Sequence, residues 1–139
     1  MGEPHRDAVE RLQEIADEDL RVARACLALR PVALRMAAFH SQQAVEKHLK
    51  AWLVALGEPD YPLTHNLSNL ADLLAERGGP CLRAEALDFL TRFAVAPRYE
   101  VAHLTQAEAE DAVAQAEQIA EQAPRAVAAL MGEEPSSSA

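Results

Sequence analysis

The sequence predicts an all-α fold, an up-and-down bundle of four main helices plus a short fifth helix, and three observations carry that expectation. Ala and Leu dominate the 139 residues, aromatic residues make up 4%, and Gly is scarce outside the Gly78-Gly79-Pro80 break. That composition suits helices better than sheets. Apolar residues recur at intervals of three and four along successive stretches, the period of an amphipathic helix. Short Pro- and Gly-containing breaks separate the stretches, and short links bring antiparallel neighbours together.

Val9, Leu12, Ala16, Leu20, Ala23 and Leu27 predict a first helix over residues 6–29, with Glu10, Glu14, Asp17 and Glu18 on its other faces. Pro31 either stops that helix or opens the next, so a tight antiparallel hairpin is expected there. The second helix, over residues 31–56, has the longest seam: Leu34, Ala38, Val45, Leu49, Trp52 and Leu56, with a second row of Val32, Met36 and Phe39. It is expected to be the central helix. Its second half carries a polar stripe of Gln43, Glu46, Lys47 and Lys50, expected to face solvent or a partner. Residues 57–62, with a Gly and two Pro, end it.

Leu67, Leu70, Ala71 and Leu74 predict a short third helix, with Thr64 or Asn66 as N-cap and Gly78-Gly79-Pro80 as stop. Leu82, Ala86, Leu87, Leu90, Phe93 and Ala94 predict a fourth, ended near Pro97. Thr105 and Glu108, three residues apart, predict a capping box that opens the last helix. Ala109, Ala112, Val113, Ala116, Ile119, Ala120 and Ala123 give that helix a small-residue face that permits close approach to a neighbour. Pro124 is expected to kink or restart it. Residues 1–131 are thus read as one helical domain and residues 132–139, ending in Pro-Ser-Ser-Ser-Ala, as a disordered tail.

The formal net charge of -9 should repel nucleic acid and anionic membrane surfaces, so any polyanion site must be local. Cys26 and Cys81 sit in apolar rows (Val22, Cys26, Leu29 and Cys81, Leu82) and read as buried free thiols of a reducing compartment. The first residues hold no apolar signal core, and no apolar run approaches the roughly 20 residues of a membrane span. A cytoplasmic protein with no membrane association is the expectation.

The stretch that can carry chemistry is Pro97-Arg98-Tyr99-Glu100-Val101-Ala102-His103-Leu104, between two helices. In a helix of ~3.6 residues per turn, positions five apart point about 140° from each other, so a loop or a face-to-face pair of segments is needed to converge Arg98 and His103. A guanidinium suits phosphate oxygens and an imidazole exchanges a proton near neutral pH. Together they suffice for RNA cleavage without a metal: His103 takes the ribose 2′-OH proton and Arg98 stabilises the charge developing on phosphorus. The structural reading stands beside it, with Arg98 paired to Glu100 and His103 lining the start of the last helix, and spacing alone favours that reading. His40 and His48, eight apart, lack the spacing of paired zinc ligands, and no metal or other cofactor is expected. His65 precedes a helix and reads as a cap or an anion contact, with the structural role favoured.

Residues 38–51, Ala-Phe-His-Ser-Gln-Gln-Ala-Val-Glu-Lys-His-Leu-Lys-Ala, closely resemble the second-helix signature of HEPN domains, in which Gln-Gln-Ala, Glu-Lys and a further Lys-Ala recur. Leu63-Thr64-His65-Asn66-Leu67 is similar to the family's Thr-His-Asp-Leu helix start, and Ala96-Pro97-Arg98-Tyr99-Glu100 to its Ala-Arg-Tyr-Pro segment. The resemblance spans residues 17–119 and implies a four- to five-helix bundle that commonly dimerises. It further implies a nucleotide- or RNA-binding protein in which Arg98 and His103, with four residues between them, match the Arg-x4–6-His motif of metal-independent endoribonucleases of the toxin–antitoxin type. With the resemblance, the catalytic reading stands level with the structural one. Arg98, Tyr99, Lys47 and His65 are the expected nucleotide- or RNA-binding residues. Active toxin members place a polar residue after the arginine and a Tyr two beyond the histidine, where this chain has Tyr99 and Thr105. The alternative the resemblance implies is a non-catalytic subunit that partners a separate minimal nucleotidyltransferase through residues 43–50.

Overall fold

The computed structural model describes residues 3–58, 60–94 and 103–132. Their elements are α1 (Glu3–Ala28), α2 (Leu34–Ala55), α3 (Leu67–Glu76), α4 (Ala84–Thr91) and α5 (Gln106–Leu130), with no strand among the described residues. The all-α bundle expected from composition and period is the observed fold. α2 is central: it packs against α1 on one side and α5 on another, and also meets α3 and α4.

Val9, Ala16, Leu20, Ala23 and Cys26 are the buried row of α1, the face that a 3.6-residue period brings to one side. Val22 and Leu29, expected in the same row as Cys26, are instead 37% and 54% exposed. Cys26 marks the edge of the buried face, Val22 turns about 40° further out at 100° per residue, and Leu29 lies beyond the end of α1. The link to α2 is tight, as expected around Pro31. Arg30 Nη1 donates to the carbonyls of Leu27 at 3.0 Å and Leu29 at 2.8 Å, and Ala33 N donates to Cys26 O at 3.1 Å. Carbonyls at the end of α1 are thereby satisfied.

α2 is buried on nearly every side: Ala37, Ala38, Ala44, Val45, Leu49, Ala51 and Leu53 are fully buried. Of the expected second row, Val32 precedes the helix and Met36 is exposed, leaving Phe39, which packs edge-on against the His40 ring. Both α2 and α3 end in a glycine-based cap. Gly78 (φ 95) donates to Ala75 O at 3.2 Å and Gly79 to Leu74 O at 2.8 Å, while Gly57 (φ 94) and Glu58 repeat the pair on Val54 O and Leu53 O. Such left-handed closures suit glycine and satisfy carbonyls the helix leaves open.

The Asn66 side chain caps α3 by accepting from Ser68 N and Asn69 N, and Thr105 with Glu108 forms the expected capping box on α5. The expected burial of Cys81 and a restart at Pro124 do not occur. Cys81 is exposed, because α4 opens only at Ala84 and leaves Cys81 in the preceding link. Cys26 is buried as expected, and burial pushes its thiol pKa up. α5 also runs unbroken through Pro124. The proline removes one backbone donor, but Ala123 and Val127, 1% and 2% exposed, hold the turns on both sides in the core.

The small-residue face of α5 is covered within the chain: Ala109, Ala112, Val113, Ala116 and Ala123 are all buried. Gly132 (φ 72) follows the last turn, and residues 133–139 of the expected tail lie outside the described residues. No helix among the described residues is long and apolar enough to cross a membrane.

Candidate functional site

Of the residues singled out in the sequence, Arg98 and Tyr99 lie outside the described residues, and His103 stands exposed at the turn before α5. Lys47 and His65 are brought together, in a polar cluster on the half of α2 that the sequence suggested would face solvent. For Glu46 and Lys50 that expectation is overturned, while Gln43 and Lys47 are half-buried. Glu46 is 1% exposed and Lys50 9%, because α2 is the middle of the bundle and the chain leading into α3 lies across this stripe.

Glu46 is the hub. Its Oε1 accepts from His65 Nδ1 at 2.9 Å and Gln42 Nε2 at 3.1 Å, and its Oε2 from Lys50 Nζ at 2.9 Å, with Lys47 Nζ at 3.5 Å. Burial alone would raise its pKa. The hydrogen bonds from His65 and Lys50, the Lys47 charge and the Gln42 amide outweigh burial and hold the carboxyl below the usual carboxylate range. Gln42, Glu46 and Lys50 follow at intervals of four, so one face of one helix delivers all three. Gln42 Nε2 also donates to the His65 carbonyl at 3.1 Å, which ties the chain before α3 to α2. The Lys50 ammonium lies 5.4 Å from the centre of the Tyr61 ring, within cation–π range.

An ionised carboxylate only accepts, so the Nδ1 of His65 is the donor in this bond and Nε2 takes no part in it, on a side chain 59% exposed. Lys47 bonds Gln43 Oε1 at 2.9 Å and is 20% exposed. Two ammonium groups against one carboxylate leave the cluster formally positive, in a chain whose net charge is -9. Gln43 Nε2 in turn donates to Ala94 O at 3.3 Å. Ala94 is the last described residue before the segment that carries Arg98.

On the far side of that segment, the Thr105–Glu108 box sets the start of α5, with its N-cap Thr105 two residues after His103. Hydrogen bonds from Thr105 hold the Glu108 carboxyl below its ordinary pKa. The two flanks of the segment are therefore defined by side chains on α2 and α5.

The sequence reading missed Gln42 and the burial of Glu46 and Lys50. A signal was present, because α2 carries apolar residues on both sides of the stripe, and a helix apolar nearly all round is buried all round. It also left His40 and His48 without partners. His40 Nδ1 lies 2.9 Å from Asp19 Oδ1 and His48 Nε2 3.7 Å from Asp17 Oδ1, both carboxylates on α1. Among the described residues no three His, Cys, Asp or Glu side chains converge as metal ligands. An open groove of about 650 Å³ between α4 and α5 is lined by none of the predicted site residues.

A family model described as HEPN domain matches residues 9–125 of the 139-residue chain. No curated protein and no solved structure matches it.

Proposed function

The chain belongs to the HEPN domain family, and on that footing we propose that it binds a nucleotide or RNA phosphate at Arg98 and His103, contributed by both protomers of a homodimer, and cleaves RNA there without a metal. One observation supports the placement above others. The positive Lys47–Glu46–Lys50–His65 cluster is joined, through Gln43 and Ala94, to the flank of the segment that carries Arg98. In a chain of net charge -9, that is where a phosphate finds local attraction.

In this reading Arg98 forks around the phosphate oxygens, Tyr99 contacts the nucleotide, and Lys47 and His65 meet the phosphate from the α2 side. His103 accepts the ribose 2′-OH proton, the 2′-oxygen attacks phosphorus, and the 5′-oxygen departs and takes up a proton. The products are a 2′,3′-cyclic phosphate and a 5′-hydroxyl. Arg98 contributes most as charge builds on the equatorial oxygens, an effect worth roughly a hundredfold or more in rate for a well-placed donor.

The alternative is a non-catalytic subunit that docks a nucleotidyltransferase through residues 43–50, of which Glu46 and Lys50 are buried and Gln43 and Lys47 half-buried. The test is cleavage of a labelled mixed RNA pool in EDTA by the wild type, Arg98→Ala and His103→Ala, purified identically. Wild-type cleavage with at least a roughly hundredfold loss in both variants is expected. An inactive wild type, or cleavage equal in all three, overturns the nuclease.

A further inference from the structure

His65 has more structure around it than a phosphate contact needs. Its Nδ1 is held at 2.9 Å by a carboxylate that is 1% exposed, and its own carbonyl is held at 3.1 Å by Gln42 from the same helix. Both ends of the residue are thereby fixed to α2, while the side chain stays 59% exposed. A buried carboxylate on one ring nitrogen orients an imidazole, fixes which nitrogen exchanges, and stabilises the imidazolium. The other charged groups on the carboxylate are Lys50 and Lys47, both on α2. A side chain serving only to cap α3 would need none of this, because Asn66 already supplies that cap.

The reaction, for its part, lacks a group. In-line displacement sets the attacking and departing oxygens on opposite sides of phosphorus. An imidazole placed to take the 2′-OH proton is therefore badly placed to protonate the 5′-oxygen in the same step. We propose that His65, oriented by Glu46, is the general acid that protonates the departing 5′-oxygen, with His103 as the base. The inference rests on the phosphate-site reading above and gives that site its second proton-transfer residue. As the P–O5′ bond breaks, its electron pair stays on the oxygen, which receives the Nε2 proton of the His65 imidazolium. His65 is left neutral and His103 protonated, and exchange with water restores both.

The test uses one RNA oligonucleotide that the wild type cleaves, and the same oligonucleotide with sulfur in place of the departing 5′-oxygen. A thiolate leaves without being protonated, so the second substrate bypasses the acid. His65→Ala should lose roughly a hundredfold or more on the ordinary RNA, the range of a positioned proton donor. Its loss on the sulfur substrate should be at least about tenfold smaller. His103→Ala should lose heavily on both. Glu46→Gln, checked for folding by circular dichroism, should follow the pattern of His65→Ala, losing activity on the ordinary RNA and at least about tenfold less on the sulfur substrate, because the imidazole loses the carboxylate that orients it. A wild type that cleaves no RNA removes the phosphate-site reading and the acid with it. An active wild type with equal His65→Ala losses on the two substrates, or none on either, overturns the acid alone. Folded Glu46→Gln with wild-type activity on the ordinary RNA, or with equal losses on the two substrates, overturns the role given to Glu46.

Discussion

Glu46 and His48, two residues apart on α2, are both 1% exposed, yet their surroundings treat charge in opposite ways. Glu46 accepts from four donors and stays ionised, so its stabilisation is present above the ordinary carboxylate range and lost only as the pH falls below it. Neither ring nitrogen of His48 has a hydrogen-bond partner, and burial lowers its pKa, with Asp17 only partly opposing. The unfolded chain takes up this proton near pH ~6.5 while the folded chain resists it, so stability is intact above that value and declines below it. The decline is at most about 1.4 kcal/mol per pH unit. His48→Leu should therefore lose less stability than the wild type between about pH 7.5 and about pH 5.5, a window above the titration of Glu46. Urea midpoints at the two pH values measure it, and equal losses would remove His48 as the cause.

At the scale of the element, helix ends are built by residues next to them. The α3 terminus shows how little room such an end has. A Cβ on Gly79 would stand 2.7 Å from Leu74 Cγ and 2.9 Å from Leu74 O, and Leu74 is fully buried with its carbonyl already bonded to Gly79 N. Gly79→Ala is expected to cost about 1–3 kcal/mol through this overpacking, read as a lowered thermal midpoint. A midpoint equal to the wild type would mean that the α3 end gives way freely. The Thr105–Glu108 box has the same local character, and it was legible for that reason: two side chains three apart answer each other's backbone donors without help from elsewhere.

In the whole molecule, α2 mediates almost every contact, with α1 and α5 laid along it and α3 and α4 against it. Close approach of α5 relies on alanine. Ala116 is fully buried in the middle of α5, whereas Ala114 on the same helix is exposed. Ala116→Leu should therefore destabilise the protein by about 1–3 kcal/mol, and Ala114→Leu should change little. Chemical denaturation of the two variants measures it, and similar effects at both sites would mean that α5 is not closely packed there. The same packing covers the small-residue face, so the homodimer proposed above draws on another surface.

Helix number, order and caps followed from the sequence by itself, because the 3.6-residue period, the Gly and Pro breaks and the Asn66 and Thr105 caps act within a few residues of chain, although α4 ends at Thr91, short of the stop expected near Pro97. At Pro124 the helix does not restart, since tertiary burial of its neighbours outweighs a single missing donor. The family was legible too, in the run of residues 38–51, and the match over residues 9–125 bears it out. Which way each face turned was decided only by packing. Val22 and Cys26 differ by about 40° around one helix, and that angle separates surface from core. The stripe of Gln43, Glu46, Lys47 and Lys50 reads as a solvated face until the chain before α3 crosses it. His65, nineteen residues from Glu46 in sequence, then supplies the hydrogen bond that a buried carboxylate requires.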